Sequence, residues 1–599
     1  MAAARALARV MLCLSTCLAA GWAPAGAQAQ GMLSALRPAA AAASSRHADP
    51  WWRHAVIYEI YPRSFQDSNG DGVGDLNGIA QRLPYLQELG VDAIWIAPFY
   101  PSPQVDFGYD ISDYRAVDPQ YGTLADFDRL VAQAKQHHIR VILDMVLNHT
   151  SDKHPWFIEA AGSRTAWKHD FYCWSDGRSD AAGQHLPPNN WVSLFGGSAW
   201  QWVPGVGQFY YHMFYRQQPD LNWRNPQVEQ AMFAAMRFWL DRGVAGFRLD
   251  AITTLFEDER LRDEPALGGV NAQGDPRLSD VYTNNLPEVH GVMRRLRAMT
   301  DTYPDERVLI GETYVPKTAD LAPWYGGALH NELQLPMDTL FGLGAKLDAN
   351  TFRQHMAETA PELLGGQPLF VFDNHDNIRS WDRYGDGVHN AAIAKVIAAL
   401  LLTSRSAALL YQGEEIGQPT TTPTRVQDVR DPIGITGWPQ EKGRDGERTP
   451  MQWDASNAQA GFSSNPHTWL PVPANYRTIN VKTERADPAS ILNWHRRLIA
   501  LRRSNAALRD GRVVMLDVGN ASVLSYARVA TDGTAVVVSL NMSGVPQKVS
   551  LGLKAAGVGG ARLTTLLANP AGIADGAADH DVALPPFAAW IAQVTPRKQ

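Results

Sequence analysis

Acidic residues close several apolar runs of this sequence at places that suit the breaking of a sugar's glycosidic bond. Asp144 lies in the run Arg140–Asn148, Asp250 near the end of Gly246–Ile252, Glu312 near the end of Val308–Thr313, and Asp373 and Asp376 at the end of Leu369–Asp376. Carboxylates repel one another and resist desolvation, so gathering them costs stability unless something compensates. Taken singly, each reads as a structural ion pair; four run ends together point to function. In glycoside cleavage one carboxylate attacks the anomeric carbon and another protonates the leaving oxygen, the two standing roughly 5–5.5 Å apart in a retaining enzyme. Arg248, two residues before Asp250, shares its side of an extended chain. It would hold Asp250 ionised, while burial and like charge would raise the pKa of Glu312 so that it starts protonated.

These side chains need a scaffold that brings the run ends together. Eight short apolar runs read as strands: Val56–Tyr61, Asp92–Phe99, Arg140–Asn148, Gly246–Ile252, Val308–Thr313, Glu332–Pro336, Leu369–Asp376 and Ala408–Glu414. Helical periodicity falls between or after them at Ile79–Leu89, Leu124–His138, Val228–Arg242, Val289–Thr300, Asn390–Thr403 and Ile491–Ser504. The alternation predicts an α/β fold, a parallel (β/α)8 TIM barrel, whose functional groups gather at the C-terminal ends of its strands. The barrel is expected over residues 51–149 and 221–510. Residues 150–220, rich in Trp, Gly, Asn and Pro, are too long for a simple loop and predict an inserted subdomain after strand three. A second excursion covers Ile416–Asp487. From residue 511 to 599 the runs become short and alternating, predicting a C-terminal antiparallel β-sandwich domain.

Composition removes other classes. Lys and Arg total 54 against 61 Asp and Glu, a net charge of −7, which speaks against a nucleic-acid binder. With 45% hydrophobic and 19% charged residues, the chain reads as globular. Residues 1–29 read as a cleavable signal: Arg5 and Arg9, an apolar stretch from Val10 to Ala20, then A-x-A sites in Ala25–Ala29. The expected location is therefore periplasmic or secreted. Residues 30–50 are an Ala/Ser-rich flexible lead-in, and no run is long enough to span a bilayer. Cys13 and Cys17 leave with the signal, so Cys173 has no partner for an intrachain disulfide.

The blocks Asp144-Met-Val-Leu-Asn148-His149, Gly246-Phe-Arg248-Leu-Asp250-Ala251, Gly311-Glu312-Thr313 and Phe372-Asp373-Asn374-His375-Asp376 resemble the four conserved regions of the α-amylase family of glycoside hydrolases. Gln218-Pro-Asp-Leu-Asn-Trp223 resembles a fifth. The resemblance implies Asp250 as nucleophile, Glu312 as general acid/base and Asp376 as a third carboxylate on the glucose hydroxyls. It makes Arg248, His149 and His375 further contacts to the same sugar and Asp144 a structural member. Asp106, in Asp106-Phe-Gly-Tyr109, resembles the residue that binds the terminal glucose in the exo-acting α-glucosidase and oligo-1,6-glucosidase branch. Tyr109 is then expected to stack on that ring, Arg448 to close the pocket with Asp106, and Phe214 to wall the leaving-group side.

Asp67-Ser-Asn69-Gly-Asp71-Gly-Val73-Gly-Asp75 alternates oxygen ligands with glycines, a pattern able to wrap a hard cation or to form an Asx/Gly turn. Gly78 occupies the twelfth position, so the bidentate Glu of an EF-hand is missing. By resemblance the loop holds structural Ca2+, or Mg2+, through the side chains of Asp67, Asn69, Asp71 and Asp75 and the Val73 carbonyl. Ala251, after the nucleophile, resembles the α-1,4 enzymes rather than the α-1,6 enzymes, which carry Val. Residues 253–288 are expected to crown the pocket, and Asn377-Ile-Arg379-Ser-Trp-Asp-Arg383, which departs from the Gln-Pro-Arg of many α-glucosidases, to touch the leaving-group sugar.

These features together predict a retaining α-glucosidase acting on maltose and short malto-oligosaccharides, with transfer to sugar or alcohol acceptors. The alternatives are an oligo-1,6-glucosidase, a relative of trehalose synthase or sucrose isomerase, and a non-catalytic binding subunit. The enzyme is expected as a monomer or homodimer with no nucleic-acid partner.

Overall fold

The computed structural model describes residues 49–360, 365–554, 556–558, 562–573, 575–577 and 581–595. The signal segment and most of the lead-in predicted from sequence lie outside the described residues.

Eight strands close a parallel barrel: β1 Val56–Ile60, β2 Ala93–Ile96, β3 Arg140–Val146, β4 Gly246–Asp250, β5 Val308–Gly311, β6 Leu335–Asp338, β7 Leu369–Val371 and β8 Ala407–Tyr411. Closure is direct, with Val56 beside Ala408 and Ile57 beside Ala93. Among the described residues, seven helices of ten or more residues flank the barrel: α1 Leu76–Leu89, α2 Leu124–Gln136, α3 Pro226–Leu240, α4 Val289–Thr300, α5 Ala349–Glu358, α6 Asn390–Thr403 and α7 Ile491–Ser504.

Strand alternation explains why an apolar barrel carries a charged rim. Ile57, Ala93, Ile142, Val308, Ile310, Leu335, Leu369, Val371 and Leu409 form one buried cluster inside the cylinder. Their strand neighbours Tyr58, Ile94, Leu143, Leu309, Phe370 and Leu410 belong to the core under the helices. Two residues onward from the inward apolar layer stand Glu59, Asp144, Arg248 and Glu312, and four onward Asp250. The same period of two that packs the barrel floor with methyl groups therefore aims the charges into its mouth.

Sequence and structure part company in the sixth unit. The strand was expected at Glu332–Pro336 but lies at Leu335–Asp338, because Glu332 is turned outward to His290 (2.7 Å) and Arg294 (2.8 Å). Its helix, α5, has no counterpart among the expected helices, and β5 is followed by the 3-10 segment Thr318–Tyr325, interrupted by Pro323, instead of an α-helix.

The insertion after β3 is built on the small antiparallel sheet of Trp174–Ser175, Gln208–Tyr211 and Trp200–Val203, over a core of Trp191, Trp200, Phe209, Tyr211 and Met213. It is stitched to the barrel where Asn148 Nδ2 donates to Asp220 Oδ2 (3.0 Å). The C-terminal region forms a six-stranded antiparallel sheet and a two-stranded one around Trp590, Val537 and Leu551. Arg528, on its strand Val523–Val529, donates to the Thr403 carbonyl (2.7 Å), and Arg502 of α7 donates to the carbonyls of Leu402 (3.0 Å) and Ser404 (3.3 Å). These two buried guanidinium groups satisfy the carbonyls that end α6.

Candidate active site

Arg248 organises the mouth of the barrel. It is fully buried and grips three carboxylates at once: Asp144 Oδ1 at 3.0 Å, Asp250 Oδ1 at 2.6 Å and Glu312 Oε1 at 2.5 Å. Its guanidinium also lies 4.8 Å from the ring of Trp95, whose Nε1–H donates to Asp144. Bound to the same guanidinium, the Asp250 and Glu312 carboxyl groups stand side by side, the placement a retaining pair requires. Burial, opposed by Arg248 and reinforced by nearby carboxylates, raises the pKa of both above the ordinary range. The pair resists full ionisation. The backbone after Asp250 turns sharply: Ala251 has φ 46°, and its N–H donates to Glu312 Oε2 at 3.0 Å. That left-handed turn ties the nucleophile strand to the acid.

Asp376 faces this pair with opposite electrostatics. Burial alone would raise its pKa, yet His375, Arg444 and Arg448 hold it well below the ordinary carboxylate range. His375 stacks between Tyr61 (5.5 Å, 19°) and Tyr109 (5.3 Å, 9°). The Tyr109 hydroxyl donates to Asp144 Oδ2 (3.0 Å), so this ring, expected to stack on sugar, already gives one face to histidine.

The expected pairing of Arg448 with Asp106 is overturned. Arg444 makes that contact: Nη2 lies 2.6 Å from Asp106 Oδ1, Nη1 lies 3.1 Å from Asp376 Oδ1, and Nε reaches Asp431 at 2.7 Å. Arg448 lies one helical turn's worth of sequence later and bends instead to Asp376 (2.7 Å) and the His375 carbonyl (2.9 Å). A basic residue four positions before the expected one was the available signal; nothing in the spacing chose between them.

His149 is buried beside Phe214, with ring centroids 5.1 Å apart, and its Nε2 lies 3.0 Å from Gln218 Nε2, which also donates to Asp106 Oδ2 (3.1 Å). Gln218, which opens the fifth block, thus couples His149 to Asp106. Phe214 forms a wall with Phe195, and Arg444 lies 5.3 Å from the Phe195 ring; Phe195 had no motif to mark it. Residues 253–288 contain the hairpin Ala266–Val270 and Pro276–Leu278, whose turn leans on the inserted subdomain. There Gly197 N–H donates to Asp275 (2.8 Å), and a Cβ at Gly196 would fall 2.7 Å from Gln273 Cγ. Of the stretch expected to meet the leaving-group sugar, Asn377 remains beside Asn374 (2.9 Å). Arg379 does not: it is buried under the rim, donating to the carbonyls of Gln412 (2.9 Å) and Glu447 (2.8 Å).

The glycine-rich loop lies before α1. Asp67 is buried; its Oδ1 accepts from the N–H groups of Asn69 and Gly70, and its Oδ2 from Gly72 N–H. Asn69 Oδ1 accepts from Asp71 N–H, and Asp71 Oδ1 from Val73 N–H. Asp75 is occupied differently, accepting from Ser68 and capping α1 through Gly78 N–H. The oxygen set suits a hard cation. Among the described residues, however, the trio of acidic or histidine ligand atoms that lies within 4.8 Å is Asp49, His54 and Asp510, away from this loop.

Residues 59–511 match the family described as alpha amylase, catalytic domain. The chain is 42% identical to a "Probable alpha-glucosidase" of Rhizobium meliloti over 560 residues, covering 91% of this chain and 97% of that one. It is 41% identical to "Maltase 1" of Drosophila virilis, covering 84% of this chain and 80% of that protein. Among solved structures, an "alpha-glucosyl transfer enzyme" superposes with a TM-score of 0.80 at 40% identity, covering 91% of this chain and all of that one.

Two outcomes follow from the charges. Replacing Arg444 by Met leaves buried Asp106 and Asp431, and half-buried Asp376, short of a partner, a loss of about 2–5 kcal/mol. kcat/KM for maltose should fall at least about 30-fold in a protein with native circular dichroism; a loss below threefold would contradict the role of Arg444. The second concerns pH. Because the pKa of Glu312 is raised above 4.5, its acid form survives above the ordinary glutamate range and is lost as pH climbs through the raised value. The alkaline limb of kcat/KM should therefore lie well above pH 4.5, and a limb at that value would exclude Glu312 as the acid.

Proposed function

The chain belongs to the alpha-amylase family of glycoside hydrolases, and from that premise we propose a retaining, exo-acting α-glucosidase that releases terminal α-1,4-linked glucose from maltose and short malto-oligosaccharides. Asp250 attacks the anomeric carbon as Glu312 protonates the departing oxygen, giving a glucosyl ester on Asp250. Glu312, now a carboxylate, removes a proton from water, which cleaves that ester and restores both groups. Asp376, kept anionic, binds the sugar hydroxyls and favours the positive charge that develops at the ring.

The observation that carries this reading is the closed end of the site. Asp106, Asp376 and Asp431 converge on one guanidinium, that of Arg444, whose side chain is 13% exposed, beside Gln218 and His149. A wall of fixed charges and hydrogen-bond donors admits one terminal sugar and stops a chain from running through. A sugar or alcohol in place of water would give transglucosylation, and similarity to a glucosyl transfer enzyme supports this second outcome.

Ala251 favours the α-1,4 reading on size, since one or two methyl groups shift selectivity between substrates by ~1–3 kcal/mol. We place a structural Ca2+, with Mg2+ as the alternative, in the loop of Asp67, Asn69, Asp71 and Val73, with Asp75 joining once it releases Ser68. The ion would brace the loop leading into α1 and take no part in bond cleavage. The basic-then-apolar start of the sequence supports export to the periplasm or medium. No helix among the described residues is long and apolar enough to cross a membrane.

Incubated with maltose, the wild type should release glucose and Asp250→Asn should lose at least about 10³-fold in rate; equal rates would end the assignment. Wild-type kcat/KM should favour maltose over isomaltose, with Ala251→Val narrowing or reversing the ratio. A wild-type preference for isomaltose would favour the oligo-1,6-glucosidase reading instead. Chelation should lower Tm while leaving kcat at 25 °C nearly unchanged, since an ion held at 100 times its Kd stabilises by about 2.7 kcal/mol. An unchanged Tm would remove the cation.

A further inference from the structure

Beneath the catalytic carboxylates lies a group that the mechanism does not use. Glu59 is on β1, points into the barrel two residues above Ile57, and has no exposed surface. Its Oε1 lies 2.6 Å from His375 Nδ1, and its Oε2 has no hydrogen-bond partner. The groups around it are Asp144, Arg248 and Asp376, with the Tyr411 hydroxyl on the neighbouring strand. On the far edge of the imidazole, Nε2 lies 3.1 Å from Asp376 Oδ2 and 2.7 Å from the Tyr109 hydroxyl oxygen. The rings of Tyr61 and Tyr109 lie nearly parallel to the imidazole, with centroids 5.5 and 5.3 Å away, and help to hold its orientation.

The placement of hydrogens follows from this geometry. If Glu59 were ionised and His375 carried a single hydrogen, on Nδ1, then Nε2 would present a lone pair to the Asp376 carboxylate at 3.1 Å. Glu59 would also add a further buried anion to Asp144, Asp250, Asp376, Asp106 and Asp431, which face Arg248, Arg444 and Arg448 among the described residues. One more proton removes both costs. Whether it resides on Glu59 Oε1 or on His375 Nδ1, the pair is neutral overall and Nε2 bears a hydrogen. That hydrogen is donated to Asp376, while Tyr109, whose oxygen can accept from the same edge, passes its own hydrogen to Asp144.

We propose that Glu59 is a positioning residue that shares one proton with His375 and thereby fixes its Nε2–H toward Asp376 and the glucose that Asp376 holds. The inference rests on the glycosidase reading above. Glu59 touches no substrate; it acts through the histidine. Neutral at both locations of its proton, it sets the donor without adding charge beside the nucleophile. An amide at position 59 can do the same, its N–H donating to Nδ1, whereas an apolar side chain of equal length cannot.

The test compares Glu59→Gln and Glu59→Met on an aryl α-glucoside, in the wild-type and His375→Ala backgrounds. Wild-type turnover tests the glycosidase reading by itself; the variants test Glu59. Glu59→Gln should keep kcat/KM within about fivefold of wild type, and Glu59→Met should lose at least tenfold. In the His375→Ala background the Met substitution should cost less than twofold, because the group it acts through is gone. An equal loss in both backgrounds, or a wild-type-like Glu59→Met, would overturn the proposal. Neutron diffraction of the wild-type crystal reads the same point without a variant: a hydrogen on His375 Nε2 supports it, and a bare Nε2 refutes it.

Discussion

One guanidinium under three carboxylates governs the architecture of this site. Arg248 contacts Asp144, Asp250 and Glu312 within 3.0 Å, and without it the three acids would repel one another out of register. The rigidity of the arrangement comes from below: Arg248 stands on β4 directly above the packed interior of the barrel and beside the face of Trp95. A buried side chain that must satisfy three carboxyl groups has little freedom to move. The reacting groups inherit that fixity, which is the preorganisation that charge-stabilising catalysis needs.

A second layer of charge encloses the first. Arg444 and Arg448 meet at Asp376 from the loop after β8, and Arg444 carries on to Asp106 and Asp431. The site is therefore assembled from strand ends, from the inserted subdomain through Gln218, and from a loop far along the chain. The barrel supplies position; the loops supply closure. The hairpin at 266–278, leaning on Gly196 and Gly197, extends that closure over the rim.

How much could be read in advance follows from which features are local. The barrel was legible because strands buried on both faces leave continuous apolar runs, and the catalytic carboxylates because they end those runs at fixed offsets. The sixth unit was not, since Glu332 interrupts the pattern to hold His290 and Arg294, a contact across 42 residues. Arg444 and Arg448 are four residues apart on a loop, and only its three-dimensional path decides which reaches Asp106. Arg379 was expected beside the leaving-group sugar yet turns inward to two carbonyls. Phe195 and Glu59 are single residues without a motif. Their significance lies in what folding sets beside them, Arg444 in one case and His375 in the other.

The attachment of the C-terminal sheet to the barrel is made by cations meeting a helix end. Arg528 from the sheet and Arg502 from α7 fill the terminal carbonyls of α6. Cutting the chain after residue 510 would strip one of these donors from a buried contact and leave Arg502 to satisfy what remains. The sheet is thus a plug rather than an appendage: a shortened enzyme should aggregate through the uncovered end of α6 even though every reacting group lies at the opposite mouth of the cylinder.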